Sequence, residues 1–181
     1  MNAKLTTDTV LASRYKIRQV IGNGGYSVTY TALDTHMDQI VAVKGLLVKD
    51  KAAEDIIREA HLLSHFRGNS YIVTVLDCFQ ENDTVYIVME YLEGITLEAY
   101  VELQGPIPAE AMFRKILPVM EALQKVHHEG VIHRDITPAN LMLMNDGSCK
   151  LIDFGSARSY LSDNGSKRVV TGLECLTPMC A

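Results

Sequence analysis

The stretch His133-Arg134-Asp135-Ile136-Thr137-Pro138-Ala139-Asn140 holds an acid and, shortly after it, an amide. An aspartate in such a loop can take the proton of a hydroxyl nucleophile, while the asparagine offers an oxygen to a metal ion. Asp153-Phe154-Gly155 adds a second carboxylate; alone, this tripeptide also reads as an ordinary turn, because Asp and Gly are turn residues. Val41-Ala42-Val43-Lys44 sets a lysine in an otherwise apolar strand. Its ammonium needs an anion unless the stem lets the charge reach water. Glu59, on the helix-patterned segment that follows, can face the sheet and pair with Lys44, or stand on the surface as most glutamates do. Gly22-Asn23-Gly24-Gly25-Tyr26-Ser27 is a loop whose missing side chains let backbone N–H groups approach phosphate oxygens. A dinucleotide-binding turn would run straight into a helix, whereas Val28-Thr29-Tyr30-Thr31 is strand-like, so this loop joins two strands.

The elements that must position these groups follow from periodicity and punctuation. β-Branched and aromatic residues recur over Tyr15 to Ile21, Ser27 to Leu33 and Gln39 to Leu47, predicting three sequential antiparallel strands. Ile56, Ala60 and Leu63 fall at helical spacing between Asp50, a candidate N-cap, and the stop Gly68-Asn69. Thr74 to Phe79 and Thr84 to Tyr91 read as a hairpin around Glu81-Asn82-Asp83, completing a five-stranded sheet with one helix. Helices are predicted near Leu97 to Leu103 and from Pro108 to Glu129, the second capped by Gly130 and expected to kink at Pro118. Leu141 to Met144 and Cys149 to Ile152 form a second hairpin around Asn145-Asp146-Gly147. From Ser156 to Ala181 there is little periodicity, as in a mobile loop.

Composition narrows the function classes. The chain of 181 residues is 48% hydrophobic, enough for a sizeable core. A formal net charge of -5 gives no basic stripe for nucleic acid, so no nucleic-acid partner is expected. The apolar run Ile40 to Val48 is broken by Lys44 and is far shorter than the roughly 20 residues that span a bilayer. Met1 to Arg14 lacks the apolar core of a secretory signal and reads as a short lead-in. Cys78, Cys149, Cys175 and Cys180 contain no Cys-x-x-Cys pair, which suits reduced thiols in a cytoplasmic chain.

Taken jointly, the Gly-rich loop, strand lysine, helix glutamate, His-Arg-Asp with its Asn, and Asp-Phe-Gly stand in the order of the protein-kinase signature. The chain resembles the eukaryotic-like (Hanks-type) serine/threonine protein kinases over about residues 15 to 181, and the wording of its motifs is most similar to bacterial members. The resemblance implies an α+β, protein-kinase-like fold. An N-lobe and hinge would occupy 15–92, after the lead-in 1–14, and a partial, mainly helical C-lobe would occupy 93–181, ending within the activation segment.

It also implies ATP and Mg²⁺ as cofactors and proteins as substrates. Lys44 would hold the α- and β-phosphates, oriented by Glu59; Asn140 and Asp153 would ligate Mg²⁺; Asp135 would be the catalytic base. ATP would be enclosed by Ile21, Gly22, Asn23, Gly24, Gly25, Tyr26, Ser27, Thr29, Ala42 and Met142, with Met89 as gatekeeper and Glu90, Tyr91 and Leu92 as hinge. Leu63, Val75, His133 and Phe154 match the column that connects the lobes. Arg134 would pair with a phosphate on Ser166, Thr171 or Thr177. Thr29 stands where valine is usual, Ser27 where the third loop glycine is usual, and Thr137 where many serine/threonine kinases carry lysine. The chain stops at Thr177-Pro178-Met179-Cys180-Ala181, where an Ala-Pro-Glu motif is expected, so apolar surface is expected on the helix from Pro108 to Glu129. A non-catalytic fragment that binds nucleotide or a partner stays open as the alternative, as does a small-molecule phosphotransferase.

Overall fold

In the computed structural model, the described residues are 5–24, 27–47, 52–154 and 158–159. Strands β1 (Val10–Leu11), β2 (Tyr15–Asn23), β3 (Ser27–Asp34), β4 (Gln39–Leu47), β5 (Val75–Glu81) and β6 (Thr84–Glu90) form one antiparallel sheet in the order β1-β2-β3-β4-β6-β5. Period-two alternation sorts its residues. Val28, Tyr30, Val41, Val43, Tyr86 and Val88 share one core with Leu11 and Tyr15. Register places the site residues on the other face, where Gly22, Thr29, Lys44 and Ile87 lie in a cross-strand row beside Thr31, Ala42 and Met89.

The sheet has six strands where five are expected. The extra one, β1, pairs Leu11 with Tyr15 and Val10 with Lys16. Its turn sets Ala12 and Ser13 at φ 47° and 51°, a left-handed pair usually announced by Asn-Gly. No turn residue of that kind marks it, which is why the segment reads as a lead-in. Glu81 secures the turn by accepting the Ala12 amide at 2.8 Å. The Asn82-Asp83 hairpin is the readable version of the same geometry, with both residues left-handed at φ 48° and 56°.

Helix α1 (Ala52–Ser64) packs on β5; the expected cap Asp50 lies outside the described residues. Next come β7 (Gly94–Thr96), α2 (Leu97–Gln104), α3 (Ala109–His128) and β8 (Val131–Ile132). They are followed by β9 (Leu141–Met144), β10 (Cys149–Leu151) and β11 (Arg158–Ser159). Thr96 caps α2 by accepting the Ala99 amide at 3.2 Å, and Gly105 ends it at φ 82°. Pro108 is the N-cap of α3, which continues through Pro118 as one helix. The β9–β10 turn is closed by Asp146, which accepts the Ser148 amide and hydroxyl, with Gly147 at φ 82°. Leu63, Ile72 and Val75 share a core with Leu97, Val119, Leu123, Val126 and Leu151, so the sheet and the helices are continuous in their packing. Phe113, Leu117 and Met120 of α3 are exposed.

The start of β2 is fastened to the end of β3. Arg14 donates through Nε and Nη2 to Asp34 at 2.8 and 2.6 Å, and Asp34 is almost wholly buried. Tyr15 donates to Asp77 at 2.7 Å, tying the same corner to β5. The Arg14 bonds outweigh burial and hold the Asp34 carboxyl below the usual range. A lowered folded-state value contributes stability above the unfolded carboxyl value of about 3.9, and that contribution is lost as pH falls through the folded value. Arg14→Ala is therefore expected to cost about 3 kcal/mol in urea unfolding at neutral pH, with a smaller deficit once Asp34 is protonated. An unchanged urea midpoint at neutral pH would contradict this account of the corner.

Candidate active site

Lys44 is 7% exposed at the centre of β4. An ammonium there is stable only with an anion in contact. The acid that meets it is Asp153, 109 residues further along the chain, whose Oδ1 accepts from Lys44 Nζ. Glu59 lies on α1, but its side chain is outside the described residues. Asp153 itself sits at φ 64°, an uncommon conformation for a residue with a side chain, of the kind that collects at functional sites.

The loop after β8 is organised from its buried end. His133 is fully buried and donates from Nε2 to Ile152 O at 3.3 Å, while its Nδ1 accepts the Asp135 amide at 3.3 Å. Phe154 packs edge-on against its ring at 4.5 Å between centroids. Burial lowers the His133 pKa, so the ring is neutral at physiological pH. Arg134, at φ 71°, is exposed. Pro138–Asn140 then makes a short 3-10 turn, where Asn140 donates its side-chain amide to both the Asp135 carbonyl and Asp135 Oδ2, each at 2.9 Å. The Asn140 carbonyl accepts the Ile152 amide at 2.9 Å. The acid and the amide predicted to work together are thus joined by direct bonds.

A narrow recess beside Lys44 is lined by Leu63, Val75, Met89, Asp153 and Phe154 and has room for about 20 Å³, roughly one water molecule. Leu63, Val75, His133 and Phe154 are all buried. Ala42 is paired with Met89 across β4 and β6. Met142 lies on β9, paired with Lys150 and, on its other side, with Thr96. In the Gly-rich turn, Gly24 N donates to Ser27 O at 2.9 Å, and a Cβ on Gly22 would meet Thr29 at 3.5 Å. Gly25, Tyr26, Ser166, Thr171 and Thr177 lie outside the described residues.

One ion pair was not legible in the sequence. Lys150 Nζ donates to Glu90 Oε1 at 2.8 Å, and the same oxygen accepts the Thr74 amide at 2.6 Å. Burial opposes ionisation of Glu90, but the donors from Lys150 and Thr74 outweigh it and hold its carboxyl below the usual range. In Cys149-Lys150-Leu151 the alternation reads as a strand with an outward lysine. The available signal was the one used for Lys44, a lysine between apolar neighbours.

The donor set fits a magnesium ion held together with phosphates. Asn140 turns its amide nitrogen to Asp135, leaving its oxygen as the ligating end, and Asp153 supplies a carboxylate beside the Lys44 ammonium. Mg²⁺ usually takes one or two protein carboxylates and completes its shell with water and substrate phosphates. Among the described residues, no group of three or more His, Cys, Asp or Glu side chains forms a closed metal cage.

The glycine turn and the buried Lys44 share one face of the sheet, and Asp153, just after β10, joins that lysine to the His-Arg-Asp loop bonded to its asparagine. A family model of the protein kinase domain matches residues 15–178, and the chain belongs to that family. It is 38% identical over 154 residues to a probable serine/threonine-protein kinase of Clostridium perfringens, covering 83% of this chain and 22% of that protein. It is 35% identical over 156 residues to the serine/threonine-protein kinase PrkC of Bacillus subtilis, covering 84% and 24%. With the serine/threonine-protein kinase PknL of Mycobacterium bovis the identity is 33% over 154 residues, covering 83% and 38%. The chain spans about a quarter of the length of most of these curated relatives.

Removing the Asn140 amide leaves the Asp135 carbonyl and carboxylate without their shared donor. Asn140→Ala is expected to lower stability by about 1–3 kcal/mol. Chemical denaturation checks it, and an unchanged free energy of unfolding would mean that the bonds between Asp135 and Asn140 do not hold the loop.

Proposed function

We propose that this chain is the catalytic part of an ATP- and Mg²⁺-dependent protein kinase that moves the γ-phosphate of ATP to serine or threonine hydroxyls of proteins. The observation that carries the reading is the buried Lys44 meeting Asp153, a cation and an acid brought together where phosphates and a divalent ion need opposite partners. The relatives' names as serine/threonine-protein kinases point the same way. The lobes divide at 92/93.

In this reading the backbone of Glu90 and Leu92 meets adenine, with Ile21, Thr29, Ala42, Met89 and Met142 around the ring. Backbone groups of Gly22, Asn23, Gly24, Gly25, Tyr26 and Ser27 lie over the phosphates. Lys44 supplies positive charge to the α- and β-phosphates and Glu59 orients it. Asn140 and Asp153 hold Mg²⁺, which when bound neutralises charge on the transferring phosphate. Asp135, oriented by Asn140 and by the hydrogen bond its backbone amide donates to His133, takes the proton of the substrate hydroxyl. The exposed Arg134 receives a phosphate on Ser166, Thr171 or Thr177 and orders the segment that carries it.

The location we propose is the cytoplasm, where ATP is abundant and where free thiols such as Cys78 and Cys149 are the rule. No helix among the described residues is long and apolar enough to cross a membrane.

Asp135→Asn in the complete gene product should lower kcat by about 10²–10⁴-fold while leaving the ATP dissociation constant nearly unchanged. Phosphate transfer at the wild-type rate would remove Asp135 as the base. Wild-type protein that binds nucleotide but transfers no phosphate would favour the non-catalytic alternative.

A further inference from the structure

Lys150 stands between Cys149 and Leu151, both buried, in the middle of β10. Its side chain is 13% exposed, so its charge, like that of Lys44, needs a fixed partner. That partner is Glu90, the last residue of β6, directly before Tyr91 and Leu92 where the chain leaves the sheet. Glu90 is gripped three ways. Its amide donates to Thr74 O at 3.0 Å, and its Oε1 accepts both the Thr74 amide and Lys150 Nζ.

These bonds close a ring. Residues 71 to 73 are sewn to β10 by Leu151 N donating to Tyr71 O and Val73 N donating to Leu151 O, each at 2.9 Å. Thr74 then bonds Glu90, and Glu90 returns to β10 through Lys150. The two residues that follow in the chain, Ile152 and Asp153, reach Asn140 and Lys44. One short stretch, 150–153, therefore references both the end of β6 and the phosphate end of the site. Without Lys150 the Glu90 carboxylate would keep only donors from Thr74, and the end of β6 would lose its direct tie to that stretch.

We propose that Lys150 is a positioning residue for nucleotide: it holds Glu90 so that the backbone of Glu90 to Leu92 and the group around Lys44 and Asp153 stay in register for one ligand. The proposal rests on the ATP-site reading above. Adenine is remote from the reacting phosphate, so a slack hinge weakens ground state and transition state alike, raising KM with little change in kcat. If the competent arrangement is populated about a tenth of the time, apparent affinity falls about tenfold.

The test uses the full-length gene product, with steady-state kinetics in ATP and backbone hydrogen exchange at residues 90–92 without nucleotide. Lys150→Met is expected to raise the ATP KM about tenfold, change kcat by less than about threefold, and speed exchange at the hinge. Lys150→Arg should restore much of the wild-type KM. The double variant Glu90→Gln with Lys150→Met should be no worse than the poorer single variant, because the pair acts as a unit. An ATP KM for Lys150→Met within twofold of wild type, or a fall in kcat at unchanged KM as for a merely destabilised fold, overturns the proposal. Wild-type protein with no saturable use of ATP overturns the nucleotide-site reading and this proposal with it, and is told apart by the wild-type control alone.

Discussion

A lysine in the apolar centre of a sheet must be answered by an anion, and much of this structure exists to deliver one. Lys44 sits between β3 and β6 with almost no access to water. The acid that reaches it, Asp153, comes from the far end of the described chain. Bringing it there requires β10 to be fixed against the N-lobe, which the backbone bonds to Tyr71 and Val73 achieve. It also requires the residue before it to be fixed against the catalytic loop, which the bonds of Ile152 to Asn140 and His133 achieve. The ion pair and the loop geometry are therefore one construction, in which Phe154 closes the packing against His133.

The loop itself is rigid for a reason that bears on chemistry. Asp135 is held at its amide by His133 and at its carbonyl and carboxylate by Asn140. In the role of base proposed above, Asp135 would gain from such preorganisation, since no reorientation is needed as charge develops. Arg134, between these two anchored residues, is exposed and left-handed in backbone, so the same turn that buries His133 sends the arginine outward.

Where local chemistry decides the structure, the sequence was readable. The hairpins at Asn82-Asp83 and Asn145-Asp146-Gly147, the left-handed Gly130 after α3 and the boundaries of α2 and α3 follow from turn and cap residues whose backbone preferences are strong. The motif residues Lys44, Asp135, Asn140 and Asp153 were legible as types in an order. What could not be read was the partner. A period-two pattern says which face Lys44 occupies, but not which acid reaches it across 109 residues of chain. The strand β1 was missed because Ala12 and Ser13 adopt a turn that their types do not announce, held by a contact from distant Glu81. Lys150 was missed for the same reason: its role depends on Glu90, 60 residues away in sequence.

In the function proposed above, Asp153 links the buried lysine to a phosphate-bound divalent ion. Calorimetric titration of ATP into the wild-type protein and into Asp153→Asn, each with and without Mg²⁺, tests it most directly. Mg²⁺ is expected to tighten ATP binding to the wild type, and this gain to be largely lost in Asp153→Asn. An equal Mg²⁺-dependent gain in the two proteins would contradict it.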